Sequence, residues 1–124
     1  MKIALLGLQG AGKKTLFKLL TGSEVGAVPA KGVPGVFAVR DPRVEALSAR
    51  YKPEKTTYAR VDLLLLPDVE KSEGKAVWLD DVRNLDGIVV AARSFPDPSV
   101  FHPAGSVDAR RARDTFLSAL VLAA

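Results

Sequence analysis

The 124-residue chain contains no cysteine, which excludes disulfide staples, thiolate zinc sites and cysteine nucleophiles. It also lacks a long apolar run. The start, Met1 to Leu6, is too short for a signal peptide and turns at once into a glycine loop, so no targeting segment is expected. The apolar end, Phe116 to Ala124, falls well short of the roughly 20 residues that a membrane span needs. These absences suit a cytoplasmic protein with no membrane partner. Histidine occurs once, as His102 in a proline-rich loop, and no catalytic role is expected of it. The excess of basic residues is small, 18 against 14 acidic, and a net charge of +4 reads as ordinary solvated surface. What is present is apolar: 48% hydrophobic residues and a mean hydropathy of +0.12 fit a packed α/β core. The length fits a single domain over residues 1–124, short for a complete nucleotide-binding sheet.

Strand and helix signals alternate along the chain. Lys2 to Leu6 reads as a strand. A helix follows from about Gly12 to Leu20, with Leu16, Phe17, Leu19 and Leu20 expected on the sheet-facing side and Thr21-Gly22 as its stop. Ser23 to Pro34 is a loop and Gly35 to Val39 a second strand. Asp41-Pro42 is an N-cap with proline at the first helical position, and Val44, Leu47 and Tyr51 recur at helical spacing. Tyr58 to Leu66 is a buried strand that stops at Pro67-Asp68. Ala76, Val77, Leu79 and Val82 fit one face of a helix, with Trp78 as packing. Gly87 to Ala92, apolar throughout, is expected at the centre of the sheet. A last helix begins near Asp108, with Ala109, Ala112, Phe116, Ala119 and Ala123 along one side. Arg110, Arg111 and Arg113 have no stacking aromatics beside them and read as a solvated face.

The stretch that carries chemistry is Gly7-Leu8-Gln9-Gly10-Ala11-Gly12-Lys13-Lys14-Thr15, between the first strand and the first helix. Backbone N–H groups of such a turn converge on a phosphate at the positive end of the helix, while a lysine at the position of Lys13 reaches the outer phosphates. Gly7, Gln9, Gly10, Ala11, Gly12, Lys13, Lys14 and Thr15 are therefore the candidate nucleotide- or phosphate-binding residues, with no catalytic or metal-ligating residue assigned. The pattern G-x-x-x-x-G-K-[ST] asks for a hydroxyl on Mg2+ where this chain has Lys14. Thr15 is no substitute, because one helical step turns a side chain by about 100°.

Several segments, taken in order, resemble the Obg-like P-loop NTPases, in particular their YchF branch. Gly12-Lys13-Lys14-Thr15-Leu16-Phe17-Lys18-Leu19-Leu20-Thr21 is similar to that family's G-K-S-T-L-F-N-A-L-T, and Asp41-Pro42-Arg43-Val44-Glu45-Ala46-Leu47 to its D-P-R-L-D-A-L. Lys52-Pro53-Glu54-Lys55-Thr56 resembles K-P-E-R-T, and Arg93 to His102 resembles R-C-F-E-D-P-N-V-I-H. The resemblance implies a three-layer P-loop NTPase-type α/β fold: a mostly parallel sheet with helices on both faces, here an incomplete and degenerate G domain. It also implies cytoplasmic location, GTP or ATP with Mg2+, and ribosome association. Carried over by position, the carboxylate of the family's D-x-x-G motif falls on Leu65, the motif's glycine on Asp68 and the switch threonine on Pro29. With Lys14 these replace the groups that hold Mg2+, so the metal is not expected. Val69, near the position of the catalytic glutamine in other GTPases, departs from nothing, since this branch is apolar there. The N-K-x-D-like segment that selects the base does not occur.

Two function classes follow. In one, the protein is a pseudo-GTPase, an interaction module that binds a nucleotide or phosphate weakly or not at all and does not hydrolyse it. In the other, it is a working GTP- or ATP-binding protein with slow turnover, tied to translation or the ribosome. An incomplete sheet would leave a strand edge and the C-terminal helix uncovered, favouring a homo-oligomer or a protein partner. Asp68 reads as a turn or cap residue rather than a displaced metal ligand.

Overall fold

The computed structural model describes residues 1–68, 77–102 and 105–123. In chain order the elements are β1 (Lys2–Gly7), α1 (Lys13–Thr21), β2 (Val33–Val39), α2 (Pro42–Tyr51), β3 (Ala59–Leu65), α3 (Val77–Val82), β4 (Gly87–Ala91) and α4 (Ala109–Ala123). The four strands form one sheet in the order β2-β3-β1-β4. β1 runs parallel to both β3 and β4, and β2 pairs antiparallel with β3. The expected Ala76 and Val69 lie outside the described residues, as do the side chains of Val77 and Ala123.

Alternation along β1 sorts the core into two layers, because successive side chains of a strand point to opposite faces. Leu5, with Leu63 and Leu65 of β3, packs against Phe17 of α1. Ala4 and Leu6 face the other way, onto Trp78 and Val82 of α3 and Phe116 of α4. Trp78 meets Phe116 edge-on, with ring centroids 5.9 Å apart. The three-layer arrangement, a mostly parallel sheet with helices on both faces, is the expected one. Phe17 can seat deeply only because β2 carries Gly35 opposite it: a Cβ there would lie 2.6 Å from the Phe17 ring. Among the described residues no helix is long and apolar enough to cross a membrane.

Three expectations are corrected. β4 is not central: its one described neighbour is β1, and Val89 is 42% exposed. Ile88 and Val90 pack on the core whether or not the strand has a second hydrogen-bonded neighbour, so an apolar run does not by itself place a strand at the centre. β1, paired on both sides, holds the centre. On α1, Phe17 is fully buried but Leu19 is 77% exposed and Leu20 also points outward. Nine residues turn only part of the helix toward the sheet, and Phe17 takes that side. On α2 no residue of the expected apolar stripe is fully buried: Val44 is half-buried, and Leu47 and Tyr51 are exposed. That helix is fixed instead by its cap and by polar ties, from Tyr58 to Glu45 and between Ser48 and Thr56.

The Asp41 cap follows the sequence reading, and Asp108, near which the last helix was expected to begin, caps it. Asp41 accepts the Arg43 amide at 2.9 Å ahead of Pro42, and Asp108 accepts the amides of Arg110 and Arg111 ahead of α4. The Arg43 side chain and then its amide hold the Asp41 carboxyl below its ordinary value, and the Arg111 amide foremost does the same for Asp108. A carboxylate with a lowered folded-state pKa stabilises the fold fully above its ordinary pKa of about 3.9, and that stabilisation fades as pH falls through the lowered value.

Two expectations can be measured. In urea denaturation Phe17→Ala should cost about 3–5 kcal/mol, whereas Leu19→Ala should stay within about 0.5 kcal/mol of the parent. The thermal midpoint should fall on acidification below about pH 4, and more shallowly in the Asp41→Asn, Asp108→Asn double variant, whose caps do not titrate.

Candidate functional site

β1 ends between two parallel neighbours whose connecting helices lie on opposite faces, α1 on one and α3 on the other. Ligands of open α/β sheets bind at such a crevice, outside the carboxyl ends of the strands. The glycine loop occupies it. Gly7 closes β1 where any Cβ would sit 2.6 Å from the Ala91 carbonyl oxygen, so the loop leaves the sheet in contact with β4. Gly10 and Gly12 take the left-handed conformation, with φ of 72° and 87°, which glycine adopts without strain. The Ala11 amide donates to the Leu8 carbonyl, tightening the turn. Gly12 is the N-cap of α1, and neither a side-chain cap nor an acidic residue occupies its first turn. The positive helix end therefore keeps its affinity for an anion.

Lys13 is the first residue of α1, and its side chain folds back into the loop with only 6% exposure. Its Nζ donates to the Gly7 carbonyl at 2.7 Å, to the Leu8 carbonyl at 3.0 Å and to Asp68 Oδ1 at 2.5 Å. A buried ammonium is tolerated only when paired in this way. Asp68, just beyond β3, is the ion-pair partner of Lys13. Sequence alone could not find this, because the two residues meet only when β3 is aligned beside β1.

The remaining candidates divide. Lys14 and Thr15 are exposed on the outer side of α1, and Gln9 is exposed on the loop. Gly7, Gly10, Ala11, Gly12 and Lys13 form the loop itself. Leu65, onto which the resemblance carries the family's carboxylate, is fully buried in the α1-facing core. Pro29, at the switch-threonine position, is exposed in a turn whose carbonyl accepts the Gly32 amide. Arg111 donates to Ser106 and Arg113 pairs with its neighbour Asp114, both on an exposed face.

Arg93 belongs to the site although it was noted only as part of a resemblance. It follows β4, is almost fully buried, and its guanidinium donates to the carbonyls of Phe95 at 3.0 Å, Asp97 at 2.8 Å and Val100 at 3.2 Å. The guanidinium also lies 5.5 Å from the Phe95 ring centroid. Asp97 is fixed in turn by Ser99, whose hydroxyl and amide hold its carboxyl below the ordinary value. The segment so organised presses Val100 onto the phosphate loop: a Cβ on Gly10 would come within 2.6 Å of it. A buried arginine at the end of an apolar strand, followed by two prolines, is the signal that could have located it.

A parallel-centred sheet with a glycine loop at its switch point and an internal lysine defines an α/β protein of the P-loop type. No family model matches the chain. Individual relatives do. It is 35% identical to the ribosome-binding ATPase YchF of Haemophilus influenzae over 98% of this chain and 36% of that protein. It is 32% identical to Obg-like ATPase 1 of Caenorhabditis elegans over 87% of this chain and 30% of the relative. A solved structure of the Schizosaccharomyces pombe YchF GTPase superposes with a TM-score of 0.68 at 24% identity, covering 98% of this chain and 35% of that one. The chain is a homologue of the YchF and Obg-like ATPases, and it spans about a third of the length of the curated relatives it matches.

Removing the guanidinium leaves three carbonyls without their donor. Arg93→Ala should cost about 3 kcal/mol in chemical denaturation and speed amide exchange across residues 95–100. Arg93→Lys should recover little of either, since a point donor cannot reproduce the planar fork.

Proposed function

We propose that this chain is a GTPase-like phosphate-loop module that takes the phosphates of a nucleotide at Gly7–Thr15 without Mg2+ and does not hydrolyse it, its role being that of an interaction module. The observation that carries the reading is the contrast between the two halves of the site. The phosphate half has the glycine conformations, the open helix end and the internal lysine that an anion requires. The metal half has the wrong chemistry. Leu65 and Pro29 offer a hard cation no side-chain oxygen, Lys14 brings a positive charge, and the Asp68 carboxylate is engaged by Lys13. The Mg2+ implied by the family does not fit these residues. Lys13 and the loop amides bind and orient phosphate oxygens.

The surfaces support the interaction role. No described strand pairs with the outer edge of β4, and Leu117, Val121 and Leu122 of α4 are exposed. Both favour a second copy or another protein as partner.

A second reading draws on the relatives, which are named ribosome-binding ATPases. In it the chain binds GTP or ATP, turns it over slowly and works with the ribosome. Asp68 favours this reading in one respect, because it places a carboxylate oxygen at the loop.

Calorimetric titration with GTP, GDP, ATP and ADP, each with and without Mg2+, separates the two. The proposal expects equal binding with and without the metal, no release of phosphate, and about a hundredfold weakening in Lys13→Ala. Binding that requires Mg2+, with turnover, would establish the second reading.

A further inference from the structure

We infer that Asp68 is an internal competitor for the phosphate loop: its carboxylate holds Lys13 until an incoming polyphosphate displaces it. The inference rests on the phosphate-site reading above and concerns how that site is controlled. An ammonium has three donors and no acceptor, and in Lys13 all three are engaged, by the Gly7 carbonyl, the Leu8 carbonyl and Asp68 Oδ1. A phosphate oxygen can therefore bond to Lys13 only in place of one of these partners.

The three are not equally replaceable. Gly7 and Leu8 offer backbone oxygens of the loop itself, and Gly7 is wedged against the Ala91 carbonyl, so neither can withdraw without dismantling the loop. Asp68 is a side chain rather than loop backbone, and it is 24% exposed. It is also an anion, and a phosphate arriving beside Lys13 would repel it. The resident carboxylate and the incoming phosphate thus make the same charge-assisted contact to the same ammonium. They exclude each other by charge as well as by valence. Every ligand must replace Asp68 before it gains Lys13, which lowers the apparent affinity in proportion to the fraction of molecules in which Lys13 is free. Asp68 is thereby a positioning residue: it keeps a buried lysine aimed into the loop when no anion is there.

The test uses the full chain with inorganic tripolyphosphate as probe and no Mg2+, comparing the parent with Asp68→Asn. Asparagine keeps the shape and can still accept from Lys13, so the fold is retained while the competing charge is lost. Two quantities are read: the dissociation constant by calorimetry, and the rate at which acetic anhydride modifies Lys13, followed by mass spectrometry. The expected result is about tenfold tighter binding in Asp68→Asn together with severalfold faster modification of Lys13 in the absence of ligand. Equal affinities would overturn the competition and leave the phosphate site standing. A gain in affinity with unchanged Lys13 reactivity would also overturn it, since general charge repulsion would then suffice. Failure of both proteins to bind would overturn the phosphate-site reading, and this inference with it.

Discussion

A lysine ammonium can be buried only where oxygen surrounds it, and the architecture around Lys13 is arranged to meet that demand. β1 must end in a residue without a side chain so that its carbonyl can face inward, and Gly7 fills that position against β4. The next carbonyl, Leu8, must turn the same way, which the tight turn to Ala11 and the left-handed Gly10 bring about. β3 must then lie in register beside β1 so that the chain beyond it delivers a carboxylate, and pairing of Leu5 with Leu65 sets that register. The loop, the sheet order and the position of Asp68 are thus mutually dependent, and the charge of one side chain connects them.

Much of the fold was legible because its signals are local. The order of strands and helices, the cap at Asp41, the start of the last helix near Asp108 and the stop at Gly22 each follow from a few neighbouring residues. The misreadings concern what lies across from an element. The apolar run of β4 records the packing of Ile88 and Val90 on the core, while its place at the sheet edge depends on pairing that no residue of β4 encodes. Leu47 and Tyr51 have helical spacing, but spacing cannot tell whether another layer is present to receive them. Leu19 and Leu20 fail for a related reason, since a short helix in contact with one strand layer buries little more than the side bearing Phe17.

The site shows the same division. The loop from Gly7 to Thr15 could be drawn from sequence with its glycines in their roles, and Leu65 could be recognised as core. What could not be drawn were the two long-range partners that give the loop its shape. Asp68 was visible as a residue after a proline, with nothing to say that Lys13 would claim it. Arg93 lay in a segment noted for its resemblance, yet its function as the hub of three carbonyls exists only once the chain doubles back from Phe95 to Val100. Local chemistry is written in order along the chain, and electrostatic pairing is written across it.

Leu65 also bears on the site's capacity to change. It sits fully buried among Leu5, Phe17 and Leu63, in the layer that fastens α1 to the sheet. Exchanging it for an acidic side chain would supply an oxygen on the metal side of the loop, but it would do so by placing a charge inside that layer, at a cost of several kcal/mol before any cation arrived. The packing that fastens α1 to the sheet therefore resists any charge at position 65, so the end of β3 can change its chemistry only at the expense of the layer that carries the loop.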